Sequence, residues 1–331
     1  MPNKILLTRR PLLLGAAALA APLAAPATVR AQSWPAGPIR LVVPFAPGGT
    51  TDLVGRLLAD QLSQRLNTPF IVENRAGGTA TVGSQMVADA APDGQTLLMS
   101  NIASHGIGPS IYRNLRYDPV ASFSHIAMVI TNPSAWVVNP NSEIRNLEDI
   151  VRLARETPGG LNMASSGVGS SNHLLIVQFA RMMNIPYTHV PFRGAGPARQ
   201  AVIQGTVPMM SDSLPSSATD LRGGQTRGIA MSSAERHSQF PDIPTFRDQG
   251  VDLISTTWFS LSGPAGMDPA IVERLNTETR AIVNAPEMAA RFADLGGDPG
   301  TMTPQELSEF IAAEVATFRP LVEAAGITPE G

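Results

Sequence analysis

The sequence predicts an α/β fold built as two doubly wound halves, and three observations point to it. A strand, a turn of small residues and an amphipathic helix follow one another repeatedly along the 331-residue chain. In the first third they run in the order β-α-β-α-β, which implies a mostly parallel sheet with right-handed crossovers. The alternation then restarts near Ala135. Two such halves with similar turns suggest two lobes facing each other across a cleft, with ligands outside the carboxyl ends of the strands.

The first 31 residues stand apart. MPNKILLTRRPLLLGAAALAAPLAAPATVRA has a basic start, an apolar run from Pro11 to Ala27, and small residues at Val29 and Ala31. That pattern reads as an export signal cut after Ala31, not as a membrane span. Thr8, Arg9 and Arg10 followed by Leu12 and Leu13 resemble a twin-arginine signal, with a Sec signal as the other reading.

In the remaining chain a stiff SWPAGP lead-in opens a strand over Ile39–Phe45. A helix follows from Thr51 to Leu66, with Leu53, Val54, Leu57, Leu58, Leu62 and Leu66 at helical spacing. FIVENR is a second strand, GGTATVGSQMVADAA a second glycine turn and helix, and PDGQTLLMSN a turn and a third strand. AWVVNP opens the second half, and NLEDIVRLARETPG is a helix capped by Asn146 and stopped at Pro158-Gly159. Three more segments repeat the strand–turn–helix pattern: LNMASSGVGSSNHLLIVQFARMM, YTHVPFRGAGPARQAVIQG and VPMMSDSLPSSATDL. DLISTTWFSLSGPAG is a long strand, and Thr303, Pro304 and Glu306 form a capping box for a helical tail.

Composition removes several function classes. Apolar residues make up 43% of the chain and charged ones only 15%, so the chain is globular with an unusually neutral surface. Without the export segment 20 basic groups face 27 acidic ones, a net of −7, and no basic stripe appears; nucleic acid is not an expected partner. There is no cysteine, hence no disulfide, thiolate nucleophile or cysteine-bound metal. Lys4 is the one lysine and leaves with the signal, so neither a Schiff base nor a P-loop lysine is available. The five histidines lack HExxH or HxxxH spacing, and no metal or cofactor is expected. Ser165, Ser166 or Ser170 with His173 and Asp212 could be imagined as a hydrolase triad. GxSxG is absent, however, and Ser170 and His173 lie within one helix start. His125 and His189 read as strand residues, Asp52 as a support for its helix start, and Trp258 as core.

What remains is the small-residue turns. Each leaves helix N-terminal amide groups unpaired beside a strand end, where they and the helix dipole favour an anion. Thr50, Thr51, Thr79, Thr81, Ser165, Ser166 and Ser170 could add hydroxyl donors. Glycine and threonine also serve plain capping at such turns. Recurrence at several turns favours a ligand, and the absence of GxxxxGK[ST] disfavours phosphate.

The segments WPAGPIRLVVPFAPGGTTD, VENRAGG, APDGQTLL, ASSGVGSSNHL, HVPFRGAGPA and PDIPTFRDQG occur in the order seen in the substrate-binding receptors of tripartite tricarboxylate transporters, the Bug receptors, and the chain resembles that family over its mature length. The resemblance implies a periplasmic, monomeric, two-lobed Venus-flytrap protein of type II-like topology that is not an enzyme. It would close over a small organic acid and pass it to a membrane permease in a transient encounter. It further implies a discontinuous lobe of residues 33–134 plus 259–331 and a second lobe of 135–258. Phe45, Pro47, Gly48, Gly49, Thr50 and Thr79 would grip the ligand from one side. Ser165, Ser166, Gly167, Gly169, His173, Arg193 and Gly194 would do so from the other, with Asp212 where some relatives turn an acid toward the ligand. The family commonly has Tyr-Lys-Gly where this chain has Phe192-Arg193-Gly194, Phe where it has Ser211, and Gly where it has Ser260. Arg193 could grip a carboxylate bidentately or stay on the rim. A sensory receptor for an organic acid, an exported small-ester hydrolase and a receptor for a neutral amide are the alternative readings.

Overall fold

The computed structural model describes residues 34–112, 114–324 and 327; the export segment predicted over residues 1–31 lies outside the described residues. Strand β1 (Ile39–Val43) buries Leu41, Val42 and Val43 and stops at Pro44, whose missing N–H cannot continue a ladder. Helix α1 (Thr50–Leu66) turns Val54, Leu58 and Leu62 into the core at four-residue spacing. Fully burying each of these side chains is worth roughly 1.5–3 kcal/mol. The helix ends at Asn67, in the left-handed region at φ 47°, with its N–H returned to the Ser63 carbonyl.

Strand β2 (Phe70–Asn74), a short 3-10 turn over Gly78–Ala80, helix α2 (Thr81–Ala88) and strand β3 (Thr96–Asn101) complete the predicted order. A π-helical turn, Ala103–Ile107, and the single helical turn α3 (Gly108–Ile111) lead to β4 (Phe123–Val138). Then come α4 (Leu147–Glu156), β5 (Leu161–Ser165), α5 (Ser171–Met182), β6 (Tyr187–Pro191), α6 (Ala195–Ile203), β7 (Met209–Ser213), α7 (Leu214–Arg222) and β8 (Arg227–Met231). Strand β9 (Thr256–Pro264), helices α8 (Pro269–Val283) and α9 (Pro286–Leu295), the short β10 (Asp298–Pro299) and helix α10 (Pro304–Ala324) finish the chain. Two predicted caps form. The Asn146 side chain accepts from Asp149 N at 2.9 Å, and Thr303 and Glu306 exchange bonds at 2.8 and 3.3 Å.

The strands run β2-β1-β3-β9-β4-β7-β5-β6, with β8 and β10 also on β4. Pairs β1–β2, β1–β3, β5–β6 and β5–β7 are parallel, as doubly wound halves require. The centre differs from the expectation of a new start near Ala135. There β4 is one 16-residue strand, antiparallel to β9 over 123–133 and to β7 over 134–138. Pro133 sits where β4 changes partners, a place where a missing ladder donor is tolerated.

Each sheet has its own packed face. Leu41, Leu58, Leu97, Leu261, Leu275 and Phe292 belong to the core of the first. Trp136, Phe179 and Phe246 centre the second, with Trp136 edge-to-face on the other two at centroid distances of 4.8 and 4.9 Å. Trp258, predicted as core, is buried against Phe310.

Candidate functional site

The residues that follow the ends of β1, β3, β5, β6 and β7 meet around one inner chamber, lined by Phe45, Gly49, Thr50, Thr51, Asn101, Ile102, Ala103, Ser166, Ser170, Ser171, Asn172, Ala195, Asp212, Ser213, Thr257 and Phe259. The first turns of α1, α5 and α6 and the N-cap of α7 all contribute, so the unpaired amides of several helix starts border it. No lysine, arginine or histidine lines it. The space open to the centre of a water-sized sphere is about 30 Å³. A neighbouring outer chamber shares Phe45 and Ser166 with it, includes Gly77, Gly78, Gly167, Phe192 and Arg193, and has about 490 Å³ by the same measure.

Donors in the inner chamber are held in place by their own partners. Asn172 accepts at Oδ1 from the Ser134 and Ser211 hydroxyls at 2.9 and 3.3 Å, which fixes its Nδ2 as the free donor end. Asn101 Oδ1 accepts from the amides of Ala103 and Ser104 at 3.1 Å, and its Nδ2 approaches Thr51 Oγ1 at 3.5 Å. Ser171 and Thr257 share a hydroxyl contact of 3.1 Å. The Thr50 hydroxyl is buried and has no hydrogen-bond partner among the described residues.

Asp212 is the one carboxylate in the lining, and both its oxygens are committed. Ser213 N donates to Oδ1 at 2.8 Å; Ser216 and Ser217 donate to Oδ2, the latter at 2.7 Å, and Arg199 Nη1 lies 3.8 Å from it. Burial pushes the Asp212 carboxyl above its usual range, and Arg199 and the hydroxyls offset only part of that. Arg199 also pairs with Asp220 and donates to the Gly48 carbonyl at 3.3 and 3.4 Å.

The predicted site residues separate into groups. Phe45, Gly49, Thr50, Ser166 and Asp212 line the inner chamber, while Gly167 and Arg193 line the outer one. The remaining ones shape the loops. Gly48 has φ +88°, a left-handed conformation that favours glycine, and its N–H is spent on Asp52 Oδ2 at 3.0 Å. Asp52 is buried, which alone would raise its pKa. Bonds from Arg56, Gly48 and Asn74 reverse the sign and hold it below the usual value, so it supports the loop as predicted. Pro47 is exposed, and its carbonyl faces Gly196; Gly194 lies against Ala46 and Gly169 against Ile111. Ser165 is fully buried and bonds His189 Nε2 at 2.7 Å and Gly167. His173 accepts the Gly169 N–H at 3.1 Å and stacks on His189 with centroids 3.7 Å apart. Burial, reinforced by His189, holds His173 at about 3; burial holds His189 at about 4. Both are neutral supports under the β5–α5 loop. Thr79 lies in the 3-10 turn, and its side chain is outside the described residues.

Asn101, Asn172, Ser171, Thr257 and Arg199 were not legible as site residues. A usable signal existed for the two asparagines: one ends a fully buried strand, and the other sits in a helix first turn beside a small-residue loop.

Two α/β sheets joined through one long strand, with a polar chamber where their strand ends meet, give the two-lobed fold of periplasmic binding proteins. The chain belongs to the tripartite tricarboxylate transporter family of receptors, whose family model matches residues 54–327. It is 31% identical over 322 residues to BugT of Bordetella pertussis, covering 97% of this chain and 98% of that protein. Among solved structures it is similar to Rpa4515 of R. palustris with adipate, at 30% identity and TM-score 0.86, covering 90% of this chain and all of that one. It is also similar to MatC (Rpa3494) of Rhodopseudomonas palustris with bound malate, at 29% identity and TM-score 0.81, covering 87% and 100%. As a member of this receptor family the protein is a substrate-binding protein and not an enzyme.

Proposed function

We propose that this receptor captures a small organic carboxylate between its lobes in the periplasm and delivers it to the membrane permease of a tripartite tricarboxylate transporter. One observation carries the ligand class: the inner chamber combines several helix starts, free amide and hydroxyl donors and no cationic side chain. Each helix start favours an anion by roughly 0.3–1 kcal/mol, up to ~2 in partly buried geometry, and the buried Thr50 hydroxyl supplies an unspent donor. Asp212 does not oppose an anion, because its oxygens are already held by Ser213, Ser216, Ser217 and Arg199. The adipate and malate of the two structural relatives support the same class. The change of partner along β4 at 133–134 supports lobes of 33–134 plus 259–331 and of 135–258.

The test is thermal unfolding of the protein without its export segment against mono-, di- and tricarboxylates, amino acids and amides. A ligand at a hundred times its dissociation constant adds about 2.7 kcal/mol and shifts the midpoint by several degrees. A shift confined to carboxylates is expected. Shifts with amides alone would overturn the anion reading.

A further inference from the structure

We propose that Arg199 is a latch: its guanidinium, held by two acids of its own lobe, grips the Gly48 carbonyl of the other lobe and so governs how long a ligand stays in the inner chamber. Arg199 lines neither chamber, so it acts as a positioning residue and touches no ligand. The proposal rests on the two-lobe reading, with Gly48 in the first lobe and Arg199 in the second, and not on the chemical class of the ligand.

The cation is fixed on its own side. The Arg199 side chain is only 13% exposed; Asp220 of α7 pairs with it, and Asp212 Oδ2, at the end of β7, lies 3.8 Å from Nη1. Asp212 is fully buried, so salt and water screen this cluster little. The carbonyl is fixed as well. Gly48 has φ +88° and gives its N–H to Asp52 Oδ2 at 3.0 Å, and Arg56 and Asn74 hold Asp52 Oδ1 at 3.0 and 2.9 Å. Its oxygen is left to Arg199 Nη1 and Nη2, at 3.3 and 3.4 Å.

Three successive loop residues meet the start of α6. Ala46 N donates to the Arg193 carbonyl at 3.4 Å, the Pro47 carbonyl faces Gly196, and Gly48 takes Arg199. The next two, Gly49 and Thr50, line the inner chamber, as does Ala195. The clamp therefore sits directly over the space a ligand fills. Gly48 N–Asp52 Oδ2 and Ser213 N–Asp212 Oδ1, each within one side, measure 3.0 and 2.8 Å, whereas the bonds across the gap measure 3.3 to 3.4 Å. Those lengths lie beyond the usual range of about 2.7–3.2 Å. Both halves are preorganised and the joint between them is loose, so it opens and recloses without either half being rebuilt.

The chain has no cysteine, so cysteines placed at the exposed Asp60 of α1 and Glu156 of α4 carry a dye pair without background. Single-molecule fluorescence transfer is measured on the protein without its export segment, as wild type, Arg199→Met, Arg199→Lys, Asp212→Asn and the Arg199→Met, Asp212→Asn double variant. The ligand-free wild type should divide between open and closed populations. Arg199→Met should lower the closed-to-open ratio about tenfold, the range of one charge-assisted hydrogen bond. Arg199→Lys keeps a cation between the two acids but loses the fork, so it should lower the ratio about threefold; it carries the comparison if the methionine variant does not fold. The tenfold drop should recur when Arg199→Met is made on Asp212→Asn. Adipate, used as the probe, should leave Arg199→Met about ten times faster than the wild type in stopped flow, with its association rate unchanged. A ratio that neither Arg199 variant changes overturns the latch. A drop that vanishes on Asp212→Asn also overturns it, because Arg199 would then serve only to offset that acid's charge. A single population with and without adipate overturns the latch together with the two-lobe reading. A ratio that depends on Arg199 in a protein that fails to bind adipate supports the latch and bears only on the ligand.

Discussion

Thr50 illustrates how a binding residue differs from a structural one at the scale of single atoms. The residue lines the inner chamber at the first turn of α1, and its buried hydroxyl has no partner among the described residues. An unmet buried hydroxyl costs about 1–3 kcal/mol, whereas a bond to a charged acceptor returns about 1.5–3 kcal/mol. Thr50→Val keeps the shape and removes the donor. It should leave the ligand-free protein as stable or stabilise it by about 1 kcal/mol, and weaken carboxylate binding about tenfold; calorimetry and chemical denaturation on the same samples check both. A loss of stability together with unchanged affinity would place the hydroxyl in the fold's service instead. Asn172 is the complementary case, because two hydroxyls already occupy its Oδ1. Asn172→Asp keeps those acceptor contacts and replaces the donor by a charge, so the fold should persist while carboxylate affinity falls at least a hundredfold, on the order of the 2.7 kcal/mol that two decades represent. The threonine was legible in sequence because it sits in the first turn after two glycines. The asparagine became legible only when Ser134 and Ser211, from other strands, fixed which end of its amide is free.

At the scale of elements, the β1–α1 loop and the start of α6 meet backbone to backbone. A Cβ on Gly196 would lie 2.6 Å from the Pro47 carbonyl oxygen, and one on Gly48 would lie 3.8 Å from Gly196 Cα. Arg199, one turn into α6, adds side-chain bonds across the same gap to the Gly48 carbonyl. On the proposed two-lobe reading these contacts are ones that cleft closure would make. Gly196→Ala should therefore leave each sheet folded and impede closure, since Gly196 is helical and tolerates alanine locally. Interlobe fluorescence transfer should show a more open population, with ligand affinity reduced at least tenfold and circular dichroism unchanged; an unchanged transfer efficiency would mean the loops give way. Gly48 is a poorer probe, because its left-handed φ strains any side chain whatever the loop contacts. Strand–turn–helix units were legible from local pattern, including the caps at Asn146 and Thr303. The pairing of Gly48 with Gly196 and Arg199 joins residues about 150 positions apart, and no local pattern announces it.

Over the whole molecule, two separately packed sheets share β4, and each has a histidine pair, fully buried in the first and with His189 half-buried in the second. His105 and His125 lie 5.8 Å apart behind the first sheet beside Phe123, and His173 and His189 stack under the β5–α5 loop of the second. Only the AWVVNP end of β4 reads as a strand in sequence, because Pro133 interrupts the apolar pattern before it, so the shared strand and its flanking pairs emerge from tertiary pairing alone. Burial holds His125 and His189 at about 4 and His173 at about 3, and drives His105 well below its usual value. Between those values and the unfolded value of about 6.5 the unfolded chain binds more protons than the folded one, so stability falls as pH falls through that window. Each such histidine contributes up to about 1.4 kcal/mol per pH unit there. Asp212 and Glu314 act in the opposite sense, since burial raises their carboxyl pKa values and the folded state takes up their protons first. The balance favours acid destabilisation. Denaturation at pH 7, 6 and 5 should show a steady loss, and His125→Leu isolates one contribution. That variant removes a buried titratable ring together with its 3.3 Å contact to the Ser262 hydroxyl, so its stability at pH 7 should stay within about 1 kcal/mol of the wild type. Between pH 6 and 5 it should lose about 1.2 kcal/mol less than the wild type. An identical slope in the two proteins would mean that His125 takes up its proton in the folded state as readily as in the unfolded one.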